Sequence, residues 1–271
     1  MRSILDEVIF RLNTEKNGYC RVTHKKGWLE FLEDGDLVFA PHDLHEVLIQ
    51  VFDSMRPRGE MLLYPRKCGN FTVTSKNKPY RKEEALERFI TASNSGSYCN
   101  QFPIRGRKES SDIAIINEDS RHELIELKPW RSGNSPLYAV IESLKNLIGY
   151  RTIKDKSIKH HKNFKSFLDV DLIVLAPQSY YQYYKLIDDS GERLENGLKV
   201  FKKTLKELGS EFKTKISLMI LPLSVESFDE KCQAVCKKYK KTTGQEIICI
   251  SESDFISELA RDNWVSLESS D

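Results

Sequence analysis

Three short runs constrain this chain more than anything else in it: residues 113–116 (IAII), 170–177 (VDLIVLAP) and 216–223 (ISLMILPL). Successive side chains of a strand point to opposite faces, so a run that is apolar throughout, as 113–116 is, belongs to a strand covered on both sides, and the other two runs are apolar apart from Asp171 and Ser217. Between the first two runs lies the strongest helical pattern of the chain, residues 135–153. There Val140, Ile141, Leu144, Leu147 and Ile148 recur at helical spacing and Pro136 suits the first turn. A helix between two strands allows them to run parallel. Residues 100–105, 111–117 and 122–128 follow one another too closely for that and read as an antiparallel meander. The expected class is therefore α/β, a mixed β-sheet flanked by helices, with helix 81–93 before the meander and helix 192–209 ending at Gly209.

The first 79 residues read differently, as an α+β region with its own character. Residues 3–14 carry a helical stripe. Residues 19–24, 28–32 and 37–40 read as short strands, with turns at Lys26-Gly27 and Asp34-Gly35. Residues 43–55 read as a helix opened by a capping box from Asp43 to Glu46. Residues 61–64 and 70–75 read as strands. The polar break at residues 76–79 is the expected boundary, leaving 80–271 as a second unit. That unit ends in a helix (229–244), a strand (246–251) and a last short helix (254–263). Residues 1–79 suit recognition, dimerisation or docking, without a motif that chooses among them.

Of the 271 residues, 39% are hydrophobic and 30% charged, and the formal net charge is +2. Nucleic-acid binding would then depend on local basic patches and not on bulk charge. No apolar run approaches the roughly 18 residues of a membrane span. The N-terminus, broken by Asp6, Glu7 and Glu15, does not read as a signal peptide, so the expected location is cytoplasmic. The six cysteines are scattered. Cys232 and Cys236 alone stand close, at a spacing that is not a zinc pattern.

The chemistry concentrates in residues 111–130 (SDIAIINEDSRHELIELKPW). Asp112 opens one apolar strand, while Glu126 and Lys128 close the next. Period-two alternation puts Glu126 and Lys128 on one face and Leu127 on the other. Two carboxylates suffice to hold a hard cation such as Mg²⁺, which keeps several waters. The plain alternative is a hairpin whose ends carry a surface salt bridge.

Helix, three strands, helix, strand, with Asp on the second strand and Glu-x-Lys on the third, resembles the PD-(D/E)xK nuclease superfamily over residues 81–177. The proline that gives the family its name is absent, with Ser110 and Ser111 before Asp112. The resemblance implies a restriction-endonuclease-like core, dependence on Mg²⁺ or Mn²⁺, and cleavage of DNA leaving a 5′-phosphate, by an endonuclease in preference to an exonuclease. It assigns metal binding to Asp112, Glu126 and the main-chain carbonyl of Leu127, and gives Lys128 the task of orienting or deprotonating the attacking water. It also implies an acid from the preceding helix. Glu83, Glu84 and Glu87 are the candidates, and Glu83 is best placed beside the apolar face.

Helix 135–153 carries Glu142, Lys145, Asn146 and Tyr150. Asn146 and Tyr150 are a possible analogue of a Gln-x-x-x-Tyr pair found in some branches, and both would face the cleft. Arg105, Arg107 and Lys108 before Asp112, Arg131 after Lys128, and the lysine-rich segments 154–165 and 236–241 would contact phosphates. Trp130 would stack a base or simply pack. Nucleases that cut both strands often do so as dimers, so a homodimer or larger nuclease complex is expected. The competing expectation is a catalytically inactive nuclease-fold protein that binds nucleic acid or supports an assembly.

Overall fold

The computed structural model describes residues 7–8, 10–11, 24–35, 40–54, 71–72, 82–94, 98–105, 109–115, 121–129, 134–152, 169–223, 230, 247–248 and 256–268. Its centre is a six-stranded mixed sheet. Strands β2 (Tyr98–Arg105), β3 (Glu109–Ile115) and β4 (His122–Leu127) form the expected antiparallel meander, preceded by helix α3 (Lys82–Ser93). Helix α4 (Pro136–Thr152) crosses over to β5 (Val170–Pro177), which runs parallel to β4. A second crossover through α5 (Gln178–Tyr183) and α6 (Glu195–Phe212) leads to β6 (Ile216–Leu221), parallel to β5. The sheet closes with the antiparallel pair β8 (Val265–Ser266), giving the order β2-β3-β4-β5-β6-β8. The architecture is α/β. Neither α5 nor β8 was legible as an element in advance.

Both faces of the central strands are largely covered, as their predominantly apolar character requires. Ala114, Leu124, Leu172, Val174 and Leu218 point into one large cluster with Val140, Leu144 and Leu147 of α4 and Leu198, Phe201 and Leu205 of α6. The alternating positions Ile113, Ile125, Leu127, Ile173 and Leu175 are buried too, outside that cluster. Helix α3 packs on β2, β3 and the 3₁₀ segment Ile256–Leu259, burying Leu86, Phe89 and Ile90.

The N-terminal part corrects the expectation of strands. Residues 28–32 lie inside a helix, α1 (Lys25–Asp34), followed by α2 (Pro41–Ser54). The pattern WLEFL suits either period, and the apolar side of α6 decides it by taking up Trp28 and Phe31, one helical turn apart. The Trp28 indole N–H donates to the Tyr184 carbonyl at 2.7 Å, and its ring meets Phe201 edge-on at 4.9 Å. Gly35, expected in a hairpin turn, instead ends α1 with φ 79° and donates its N–H to the Phe31 carbonyl. Helix α2 starts at Pro41, so Asp43 sits within its first turn and is not its cap. His45 is hydrogen-bonded to Glu211 of α6 at 2.9 Å. Trp28, Leu44, Val47 and Leu48 share one hydrophobic cluster with α4 and α6, so the core runs across the expected boundary at residues 79–80.

Helix α6 passes through Gly209 to Phe212. Only glycine fits there without a shift, because a Cβ would lie 2.8 Å from the Thr214 carbonyl oxygen, where the chain folds back. The expected last helix is two 3₁₀ turns, Ile256–Leu259 and Arg261–Asn263. The two-residue strands β1 (Phe71–Thr72) and β7 (Ile247–Ile248) pair as a separate small sheet. Of helix 229–244 only Glu230 is described, and it is helical. Residues 19–23, 36–39 and 61–64 lie outside the described residues. Among the described residues no helix is long and apolar enough to cross a membrane.

Candidate active site

The site forms where β3 and β4 part. Their pairing runs through Ile113, Ala114 and Ile115, opposite Ile125, Leu124 and Glu123. It stops short of Asp112. Side chains take over there. The Asp112 carboxylate accepts the Leu127 N–H at 2.8 Å, and the buried Ser111 hydroxyl reaches the carbonyls of Ile113 (3.1 Å) and Ile125 (3.3 Å). Leu127 thus enters the site through its N–H, as the anchor that orients Asp112. Strand β4 keeps its partner on the other side one residue further, where the Lys128 N–H donates to the Leu175 carbonyl at 3.0 Å. The backbone therefore stays extended through Lys128, and Glu126 and Lys128 share a face.

The two side chains touch. Lys128 Nζ donates to Glu126 Oε1 at 2.7 Å and, at the same distance, to Glu142 Oε2 from α4. Glu126 is 4% exposed and Lys128 5%, so this is a buried ion-pair cluster and not the surface salt bridge of the plain alternative. Asn146, one turn beyond Glu142, donates through Nδ2 to Glu126 Oε2 at 3.4 Å, while its buried Oδ1 has no partner. Asn146 is 1% exposed and supports Glu126 from below, a different position from the expected nucleic-acid surface. Tyr150 belongs to the hydrophobic cluster.

Helix α3 contributes two acids. Glu83 is half-buried and lies within electrostatic reach of Lys128 and Glu142, and Glu87 is 2% exposed and bears on Asp112. Positions four apart share a helix face, so α3 turns both toward the fork. Glu87, further from the apolar face of α3 than Glu83, is the more deeply buried of the two because the polar site itself covers it. The side chain of Glu84 lies outside the described residues. Glu142 carried no sequence signal beyond its place on the helix after the motif.

Charge balance sets the protonation. Burial, then Glu87, raise the Asp112 pKa well above the usual carboxylate range, and Lys128 only partly offsets them. Burial, then Asp112 and Glu142, do the same to Glu126. Burial favours the neutral form of Lys128, but Glu126 and Glu142, with Asp112, outweigh it and hold the ammonium well above its usual pKa. Burial also works upward on Glu142, and Lys128 and then Lys145 reverse it, so Glu142 is the carboxylate held ionised. The cluster of Asp112, Glu126, Glu142, Glu83 and Glu87 around Lys128 carries more acid than base.

That excess and the partnerless Asn146 Oδ1 fit a site for a hard cation. Among the described residues no three His, Cys, Asp or Glu side chains converge on one point at ligand distance. Mg²⁺ commonly takes only one or two protein carboxylates and completes its shell with water and phosphate oxygens. Asp112 and Glu126 are the residues that would hold it.

The proposed phosphate contacts are mostly beyond view. Arg105 ends β2 opposite Glu109, across a register shift, with its backbone alone described. Arg107, Lys108, Trp130, Arg131 and the segments 154–165 and 236–241 lie outside the described residues. No protein-family model matches this chain, and no curated protein and no solved structure is significantly similar to it.

Proposed function

We propose that the protein is a metal-dependent nuclease that hydrolyses DNA phosphodiester bonds, built on a restriction-endonuclease-like core. The observation that carries the reading is the fork itself. Asp112 on β3 is locked to Leu127 on β4, beside a buried Glu126–Lys128 pair on the same strand. The element order around it, α3, the meander β2-β3-β4, the crossover α4 and the parallel β5, supports the same reading.

Asp112 and Glu126 would hold Mg²⁺ or Mn²⁺, with Glu83 or Glu87 as the further acid from α3. When bound, such an ion polarises the scissile phosphate and makes a coordinated water more acidic. The residues of the chain do the rest. Lys128, kept protonated by its carboxylate neighbours, donates hydrogen bonds to the attacking water and to the phosphate oxygens as negative charge builds on them. Asn146 steadies Glu126, and Leu127 steadies Asp112. Arg105, Arg107, Lys108 and Arg131 would track the DNA backbone.

The test is to incubate the protein with plasmid and single-stranded DNA in Mg²⁺, Mn²⁺ or EDTA, beside Asp112→Ala and Lys128→Ala. Metal-dependent cutting lost in both variants supports the proposal. Tight DNA binding without cutting under any metal would replace it with the inactive binding or assembly module.

A further inference from the structure

Lys128 has two carboxylate partners at equal distance, from two different elements. Glu126 comes from β4, beside Asp112, and Glu142 comes from α4, each 2.7 Å from Nζ. Their surroundings differ. Glu126 is enclosed, with a side chain 4% exposed and its second oxygen against Asn146 at 3.4 Å, whereas the Glu142 side chain is 24% exposed. Helix α4 packs on β4 and β5 and buries Ile141, Leu144, Leu147 and Ile148, so the core sets the position of Glu142.

Glu126 faces two demands. It accepts a hydrogen bond from a buried ammonium, and under the nuclease reading above it must also bind a divalent cation. If it were the sole partner of Lys128, turning to the cation would strand that ammonium, which is costly for a buried charge. We propose that Glu142 is a positioning residue, the standing counter-ion that keeps Lys128 in place when Glu126 turns from the ammonium to the cation. Glu142 then acts on metal binding through Lys128, without touching metal or substrate. This rests on the nuclease reading, because it presumes that Glu126 serves a cation.

Mn²⁺ binding to the full chain, measured by calorimetry at fixed pH and salt, tests it in a double-mutant cycle. Glu142→Gln in the wild type weakens Mn²⁺ binding by about tenfold or more, the size of one charge-assisted hydrogen bond, because Glu126 stays tied to Lys128. In a Lys128→Met background the same substitution changes binding by less than about twofold, within the additivity error of such cycles. Glu142→Asp recovers most of the wild-type affinity. Equal weakening in both backgrounds makes Glu142 a ligand or a plain local charge and overturns the proposal, as does an unchanged affinity in Glu142→Gln. Asp112→Asn marks the site: binding abolished there with equal loss at Glu142 sinks only the positioning role. No Mn²⁺ binding by the wild type, or binding indifferent to Asp112→Asn, sinks the metal reading and this inference together. Thermal unfolding checks each variant for folding, and Lys128→Gln replaces Lys128→Met if the latter does not fold.

Discussion

Replacing Lys128 by methionine leaves an unbranched side chain one atom shorter and removes its charge. In the cation-free protein this leaves Glu126 and Glu142 without the ammonium that each contacts at 2.7 Å. Removing one partner of a buried ion pair costs about 3–5 kcal/mol when the other stays charged. Two carboxylates are stranded here, but each can escape by taking up a proton, at about 1.36 kcal/mol per unit between its pKa and the solution pH. Glu126 is already pushed well upward by burial and by Asp112 and Glu142. Glu142 loses its main stabiliser with Lys128 and follows. The sign follows from proton counts. A carboxyl whose folded pKa exceeds its unfolded value makes the native state bind the extra proton, so stability falls as pH rises toward the folded pKa. Lys128 itself adds no slope in the wild type below its unfolded pKa, because it is protonated in both states there. Urea unfolding of Lys128→Met should therefore show a loss near the upper end of about 3–5 kcal/mol at pH 8 and a clearly smaller loss at pH 5.5. The triple variant with Glu126→Gln and Glu142→Gln should regain most of it. A loss below about 1 kcal/mol at pH 8, within the range of an exposed pair, or a loss that grows on acidification, would refute the buried-cluster account.

Without divalent cations the wild type should become more stable as pH falls from the raised pKa values of Asp112 and Glu126 toward ordinary carboxylate values, and Mn²⁺ should flatten or reverse that slope by replacing the protons; thermal unfolding between pH 5 and 8 with and without Mn²⁺ checks it. Gly35→Ala, at φ 79°, should cost about 1–2 kcal/mol through left-handed backbone strain, since its Cβ would have room at 3.9 Å from Val200; equilibrium unfolding measures it. Gly209→Ala meets the Thr214 carbonyl at 2.8 Å and should lower the melting temperature despite the better helix propensity of alanine. Trp28→Phe leaves the Tyr184 carbonyl without its indole donor and should cost about 1–3 kcal/mol in a single unfolding transition shared by α1 and the sheet; separate transitions would show that the N-terminal helices have their own core.

Much of this protein is written locally in its sequence. Strands β3, β4, β5 and β6 and helices α3, α4 and α6 follow from runs whose apolar period admits one conformation, and the mixed sheet follows from the spacing of those runs. That Glu126 and Lys128 share a face is likewise a property of an extended backbone alone. The N-terminal helix α1 is different. Its five-residue apolar pattern serves a strand or a helix equally, and the apolar side of α6, far away in sequence, decides between them. The same holds for the two glycines: Gly35 reads as a turn and caps a helix, and Gly209 reads as a stop and sits where another carbonyl crowds the helix. In the site, Asp112, Glu126 and Lys128 are legible as neighbours from local pattern, because they lie at the ends of adjacent strands. Long-range packing decided that Glu142 pairs with Lys128, that Glu87 is buried beside Asp112, and that the Asn146 amide lies against Glu126. Each sits on a helix whose rotation and depth against the sheet are set by long-range packing, and no local period records which of its polar residues that packing will bury.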